Sequence, residues 1–112
     1  MRPWRNLDGW NQVLERLKTV FCPGGRYEAE WGLSITGLSL RSATGFVKVS
    51  VTESPAEIFV AKAKEDRTLI SLGSWQQQDD DGSWISEQWG TVNLEQLLDK
   101  MEEVCKSALG FS

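Results

Sequence analysis

The hydrophobic residues of this chain recur with a helical period at both ends and with a strand period between them. Near the N-terminus, apolar residues at offsets of 0, 3, 4, 7, 10 and 11 share one stripe of a helix: Trp10, Val13, Leu14, Leu17, Val20 and Phe21. Asp8 is placed to cap this helix and Pro23 to end it. An apolar stripe must be buried, so the helix is expected to pack on the residues that follow.

A second amphipathic helix is predicted at the C-terminal end. Asn93 and Gln96 have the spacing of a capping box, and Gly110 is placed to terminate the helix. Its apolar stripe has offsets of 0, 3, 4, 7, 10, 11 and 14 and consists of Leu94, Leu97, Leu98, Met101, Val104, Cys105 and Ala108.

The residues between the two helices alternate with the period of a strand. Apolar residues occupy every second position from Tyr27 to Ile35, and Gly37 interrupts this pattern with a bulge or a turn. Leu38 and Leu40 resume the alternation on a shifted phase, and residues 47–51 form the clearest strand.

The segment from Pro55 to Lys64 has two interpretations. Ile58, Phe59 and Val60 favour a strand, followed by a turn at Glu65 and Asp66 and a second strand. The alternative is a short helix from Pro55, because Ser, Pro and Glu stand in the order of a capped helix start.

The best hairpin signal lies between Trp75 and Trp89, around the acidic turn Asp79-Asp80-Asp81-Gly82. A shift of the register by a whole residue pair leaves the two faces unchanged. Trp75 and Trp84 therefore share one face of the sheet. The other face is predicted to carry Ile70, Leu72, Ile85 and Trp89.

These elements predict an α+β fold in a single domain that spans residues 1–112. About five strands form an antiparallel sheet, because the connections are too short for parallel crossovers, and N-terminal and C-terminal α-helices flank the sheet. If both helices cover the same face, the opposite face is left to solvent or to a partner.

Residue counts exclude many functions. The chain has no histidine, which removes Ser-His-Asp and Cys-His catalysis, and its two cysteines, Cys22 and Cys105, are too far apart for a CxxC pair. A net charge of -4 without a basic run argues against nucleic acid. Neither a signal peptide nor a spanning segment is visible, so a cytoplasmic protein without cofactors and without membrane contact is expected.

The acidic turn invites a calcium interpretation. When Gly82 is aligned with the glycine of an EF-hand loop, Asp79 and Asp81 fall on ligand positions, but Gln77 and Gln88 stand where carboxylates are needed. No metal site is therefore predicted.

The same turn lies beside the predicted tryptophan pair. If Trp75 and Trp84 are exposed, they form with Asp79, Asp80 and Asp81 an aromatic and acidic surface that suits a basic or amphipathic protein segment. The alternative is that one helix covers each face of the sheet and buries both sets of aromatic residues.

We therefore expect a non-catalytic protein-protein binding module, such as a small acidic inhibitor, immunity or chaperone-type protein. Size, acidity and element order are shared with bacterial secretion chaperones and toxin-immunity proteins, although the chaperone version needs a middle helix near Pro55 to Lys64. Two alternatives stay open. One is a small-molecule-binding protein or small enzyme with a pocket between sheet and helices, near Trp31 and Trp89, and the other is a homodimer.

Overall fold

The computed structural model describes residues 7–22, 24–33, 37–53, 56–77 and 83–111. These residues form a helix, seven strands and a second helix, in agreement with the predicted α+β class. The elements are α1 (Leu7–Phe21), β1 (Glu30–Leu33), β2 (Gly37–Arg41), β3 (Phe46–Glu53), β4 (Ala56–Ala63), β5 (Leu69–Gln77), β6 (Trp84–Ser86), β7 (Gly90–Val92) and α2 (Leu94–Leu109).

The strands form one sheet in which each pairs antiparallel with the next along the chain, in the order β1 to β7. The prediction of about five strands was too low. β1 and β2 are separate antiparallel strands rather than one bulged strand, and residues 84–92 form two short strands on either side of a turn. Residues 69–77, by contrast, form one continuous strand.

Both helices lie where the apolar stripes predicted them. Asn93 and Gln96 form the reciprocal capping box of α2, and Gly110 adopts φ 85° in a left-handed cap whose N–H donates to Lys106 and Ser107 carbonyls. On α1, Val13 and Leu17 are fully buried. Local capping chemistry and periodicity therefore suffice to define these two elements.

Residues 56–63 of the segment from Pro55 to Lys64 form a strand, so the helical alternative is wrong. β4 pairs with β3 on one side and β5 on the other, and the turn after it is closed by the Thr68 N–H, which donates to Asp66 Oδ1 at 2.9 Å. The middle helix that the chaperone version requires is therefore replaced by the central strand of the sheet.

The first strand is shorter than predicted, because the chain after α1 bonds to the helix instead of the sheet. The Tyr27 N–H donates to the Val20 carbonyl at 2.8 Å, and the Ala29 N–H donates to the Phe21 carbonyl at 2.6 Å. The Tyr27 ring stacks on Phe21 and on Phe111, with centroid distances of 5.2 and 5.0 Å. Tyr27 thus joins the C-terminal end of α1 to the residue Phe111 that follows α2.

Both helices pack on the same face of the sheet. The buried strand residues are Leu38, Leu40, Val47, Val49, Ile58, Val60, Trp75 and Trp84, and the strand pairings place all of them on one side. α2 lies over β3, β4, β5 and β7, and it also contacts α1. The described elements therefore leave the opposite side of the sheet without a helical layer.

Candidate functional site

Trp75 and Trp84 are core residues, with exposed fractions of 1% and 0%. The expectation that they form an exposed aromatic pair is wrong. The hairpin register does place them on the same face, but that face is the one that both helices cover. Neither indole can touch a partner while the core is closed. Asp79, Asp80 and Asp81 lie outside the described residues.

Only part of the predicted division between the two faces is correct. Ile85 lies opposite the tryptophan pair as predicted, but β5 contains a bulge: Val60 pairs with Gly73 and Ala61 with Ser71, so Leu72 is an extra residue. Beyond the bulge the phase inverts, and Ile70 pairs with Lys62 on the helix side.

Trp89 also lies on the helix side, in the turn between β6 and β7. Its ring stacks on Trp75 with a centroid distance of 5.3 Å, and the Lys100 ammonium lies 5.4 Å from its centroid. The ring occupies the space above Gly73, where an added Cβ would lie 2.8 Å from Trp89 Cζ3. Gly73 therefore provides the room that this aromatic layer needs between the sheet and α2.

The uncovered side of the sheet, here called the open face, consists of the side chains that alternate with the buried ones on β2 to β6. Its described members are Ser39, Arg41, Phe46, Lys48, Ser50, Glu57, Phe59, Ala61, Ala63, Leu69, Ser71, Ser74, Gln76 and Ile85. Six of these 14 residues are serine or alanine, and Ser50, Ala61 and Ser74 surround Phe59, so the face is low around that ring.

Three large apolar side chains stand out from this floor. Phe59, Leu69 and Ile85 have exposed fractions of 37%, 50% and 42%. Phe59 is central, since it pairs with Ser50 on β3 and with Ser74 on β5. Burying such side chains is favourable: full burial of an exposed Phe, Leu or Ile contributes about 1.5–3 kcal/mol, and these side chains, already half or more covered, would gain about half of that or less.

The opposite surface of the molecule presents a cleft between the two helices, with a volume of about 790 Å³. Arg16 crosses this cleft from α1 and donates hydrogen bonds to Glu95, Asp99 and Glu102 of α2, at 3.2, 3.0 and 3.1 Å. The hydrogen bond to Asp99 is the largest of the contributions that raise the pKa of the Arg16 guanidinium. Arg16 thus pairs with three carboxylates of α2, and these ion pairs join the two helices.

Metal and thiol chemistry have little support in the described part of the chain. It contains no cluster of three or more acidic, histidine or cysteine side chains that could hold a metal ion. Cys22 and Cys105 are free and buried, and desolvation raises the pKa of both, that of Cys105 to about 12. A thiol with so high a pKa is a poor nucleophile near neutral pH.

The geometry defines an α+β protein with a helical layer on one side of a seven-stranded meander and an open face on the other. Searches against protein-family models, curated proteins and solved structures find no match for this chain. Among the described helices, none has the length and apolar character that crossing a bilayer demands.

The open face could have been found in part from the sequence. The alternation in β3 and β4 assigns Lys48, Ser50 and Phe59 to the face opposite Val47 and Val49. In β3 the alternation marks the Val47 and Val49 face as the buried one, but in β4 it does not, because Ile58 and Phe59 are both large and apolar and lie on opposite faces.

Proposed function

We propose that this chain is a non-catalytic protein-binding module of the cytoplasm and that the open face is its binding surface. The observation that carries the proposal is the exposure of Phe59, Leu69 and Ile85 on a sheet face without a helical layer. Leu69 lies beside Ala63, about 13 Å along the strands from Phe59, and Ile85 lies beside Gln76. A partner surface broad enough to cover this span would bury all three, as aromatic and aliphatic side chains are buried in protein-protein contacts. The two free cysteines suit a reducing compartment.

The shape of the open face favours a macromolecular partner over a metabolite. Small-molecule sites are concave and bury most of the ligand, whereas the cleft beside Glu57, Gln76 and Ile85 has a volume of only about 250 Å³. A sheet face with small side chains around its centre instead suits a second sheet surface, and stacked sheets pack about 10 Å apart.

The open face is not strongly acidic. Its described members carry Arg41 and Lys48 against Glu57, while the whole chain has a net charge of -4. A basic partner is therefore no longer favoured at this face. Attraction of a basic segment by Asp79, Asp80 and Asp81 stays a prediction for the connection between β5 and β6.

A comparison of two single arginine variants tests the proposal. Phe59→Arg places a charge at the centre of the open face, and Ser107→Arg places the same charge on the exposed surface of α2. We expect wild type and Ser107→Arg to retain the same proteins from a native lysate, quantified by mass spectrometry, and Phe59→Arg to lose them.

Circular dichroism and the melting temperature of the three proteins are compared first, so that a loss of binding is not a loss of fold. Retention of the same proteins by folded Phe59→Arg would contradict the assignment of the open face. Turnover of a substrate by the purified chain would contradict the non-catalytic part of the proposal.

A further inference from the structure

The centre of the open face is an aromatic ring on a floor of small side chains. Phe59 pairs with Ser50 on one side and Ser74 on the other, and Ala61 follows it along β4. The ring is 37% exposed. Its neighbours therefore cover most of this residue, and the part that stays exposed is available to a contacting surface.

Two charged side chains flank this centre on opposite sides. Lys48 lies two residues before Ser50 on β3, and Glu57 lies two residues before Phe59 on β4. Because the strands are antiparallel and Ser50 pairs with Phe59, the two charges are displaced in opposite directions along the strands, by about 7 Å each. They are thus about 13 Å apart along the strand direction, too far for an ion pair.

Neither charge has an ion-pair partner within the described chain, although both side chains are partly covered by the face around them. A binding surface that brings a carboxylate to Lys48 and a cation to Glu57, in this arrangement about a central ring, would pair both. The open face itself has this arrangement.

We propose that the open face binds the open face of a second copy of this chain, which forms a symmetric homodimer. The inference rests on the proposed function, since it names the partner of that same surface. The dimer is a face-to-face sandwich of two sheets with both helical layers on the outside, and its twofold axis lies in the interface along the row Ser50, Phe59 and Ser74.

Rotation about this axis reverses the strand direction and leaves the position across the sheet unchanged. Phe59 therefore meets Phe59 of the partner subunit, where an offset stack is the favoured arrangement of two rings. Seen along the normal to the two sheets, Lys48 lies one strand spacing, about 4.8 Å, to the side of Glu57 of the partner subunit. Two symmetry-related ion pairs therefore form. The strands of the two sheets run within about 30° of each other, as in other aligned sandwiches.

The available area suits a weak dimer. The 14 described outward residues of the open face, each covering about 4.8 Å by 6.7 Å, give about 450 Å² in projection. Two copies bury about 900 Å², which lies below the range of about 1,200–2,000 Å² for standard interfaces and in that of weak, transient ones. The net charge of -4 on each copy opposes association at long range, but at about 0.15 M salt it is screened beyond about 8 Å.

Sedimentation equilibrium of charge-reversal variants tests the dimer. At roughly 10–100 µM, where a dimer with micromolar affinity is populated, we expect wild type to sediment with twice the chain mass of 12.6 kDa. Lys48→Glu and Glu57→Lys each replace two attractive pairs with two repulsive ones, and we expect each to raise the dissociation constant at least about 10-fold.

An equimolar mixture of the two variants provides the decisive test of the dimer. The carboxylate introduced by Lys48→Glu in one subunit then meets the ammonium introduced by Glu57→Lys in the other, while the second pair keeps its native Lys48 and Glu57. We therefore expect the mixture to form dimers again. Recovery on mixing requires that the two faces touch each other and that both variants are folded, so it excludes unfolding as the cause of the separate losses. A matched reversal on the helix side, Lys106→Glu, is expected to leave the mass unchanged.

A wild type that stays monomeric over this range would overturn the homodimer, and so would dimers that persist in both charge variants. The proposed function would survive that result if folded Phe59→Arg still loses a different protein from the native lysate. If Phe59→Arg loses neither a second copy nor another protein, both proposals fail.

Discussion

Gly73 is the position where one added methyl group best tests the packing between the sheet and α2. In Gly73→Ala the new Cβ would lie 2.8 and 2.9 Å from Trp89 Cζ3 and Cη2 and 3.4 Å from Trp75 Cη2. Contacts below 3.0 Å require displacement, and the Trp89 ring is held between Trp75 and Lys100. The substitution must therefore separate the stacked rings or move the backbone of β5.

Two opposing effects determine the magnitude. Replacement of glycine by alanine in an unstrained conformation stabilises a protein by about 0.4–1 kcal/mol, because the unfolded chain loses conformational freedom. Overpacking of a well-filled core costs about 1–3 kcal/mol. We expect Gly73→Ala to lower the free energy of unfolding by about 1–2 kcal/mol, which corresponds to about 4–8 °C in melting temperature for a chain of this size.

Gly32→Ala is the matched control, because it makes the same chemical change in a strand of the same sheet. Its nearest neighbour would be Ser39 Oγ at 3.4 Å, an ordinary contact, and Gly32 lies on the edge strand β1. We expect this variant to be neutral or slightly stabilised in urea unfolding. Near-UV circular dichroism should report the loss of the Trp75 and Trp89 stack in Gly73→Ala alone.

The reasoning would be refuted if the two alanine variants had the same unfolding free energy, or if Gly73→Ala were the more stable of the two. Either result would mean that Trp89 does not lie over Gly73 in solution. An unchanged near-UV spectrum together with a lower stability would place the effect elsewhere than in the ring stack.

Three further predictions concern the core and the contact between the helices. Trp84→Ala should lower the free energy of unfolding in urea by about 3–5 kcal/mol because its indole is fully buried, and a loss below about 1 kcal/mol would show that the ring is exposed. Arg16→Gln should cost about 1 kcal/mol at low salt and less at 1 M salt, since its partners Glu95 and Asp99 are largely exposed; a cost independent of salt would contradict this. Burial raises the pKa of the Cys105 thiol from 9.0 to about 12, so the unfolded state loses this proton at lower pH than the native state, and the thiol lowers stability as pH rises above about 9. The stability difference between wild type and Cys105→Ala should therefore shift against wild type by about 1.4 kcal/mol per pH unit between pH 9 and 12, and an unchanged difference from pH 7.5 to 10.5 would contradict the burial of the thiol.

The helices and the strand assignment of residues 56–63 were predictable because their signals are local. Asn93 and Gln96 bond to each other's backbone across one turn, and Ile58 and Val60 favour extended backbone whatever lies around them. The sheet fold class follows as well, since short connections between strands force antiparallel pairing.

The strand count and the phase of β5 were not predictable to the same degree. The sequence pattern places Tyr27 in a strand, but its N–H donates to Val20 at the end of α1 and its ring stacks on Phe111, which is far away in the sequence. In the sequence, Leu72 fits the alternation of a regular strand. In the structure it is the extra residue of a bulge, which moves Ile70 to the other face of the sheet. Bulges depend on how neighbouring strands align, and one sequence does not display this alignment.

The sequence alone determined the order of helix, sheet and helix, the alternation of β3 and the absence of histidine chemistry, because these follow from residue types and their spacing. Only the tertiary structure decided which face of β4 to β6 is buried. Trp75 and Trp84 on one face and Phe59 and Ile85 on the other are apolar enough for a core. The choice between them is made by where both helices pack, and that packing depends on contacts between residues far apart in the chain.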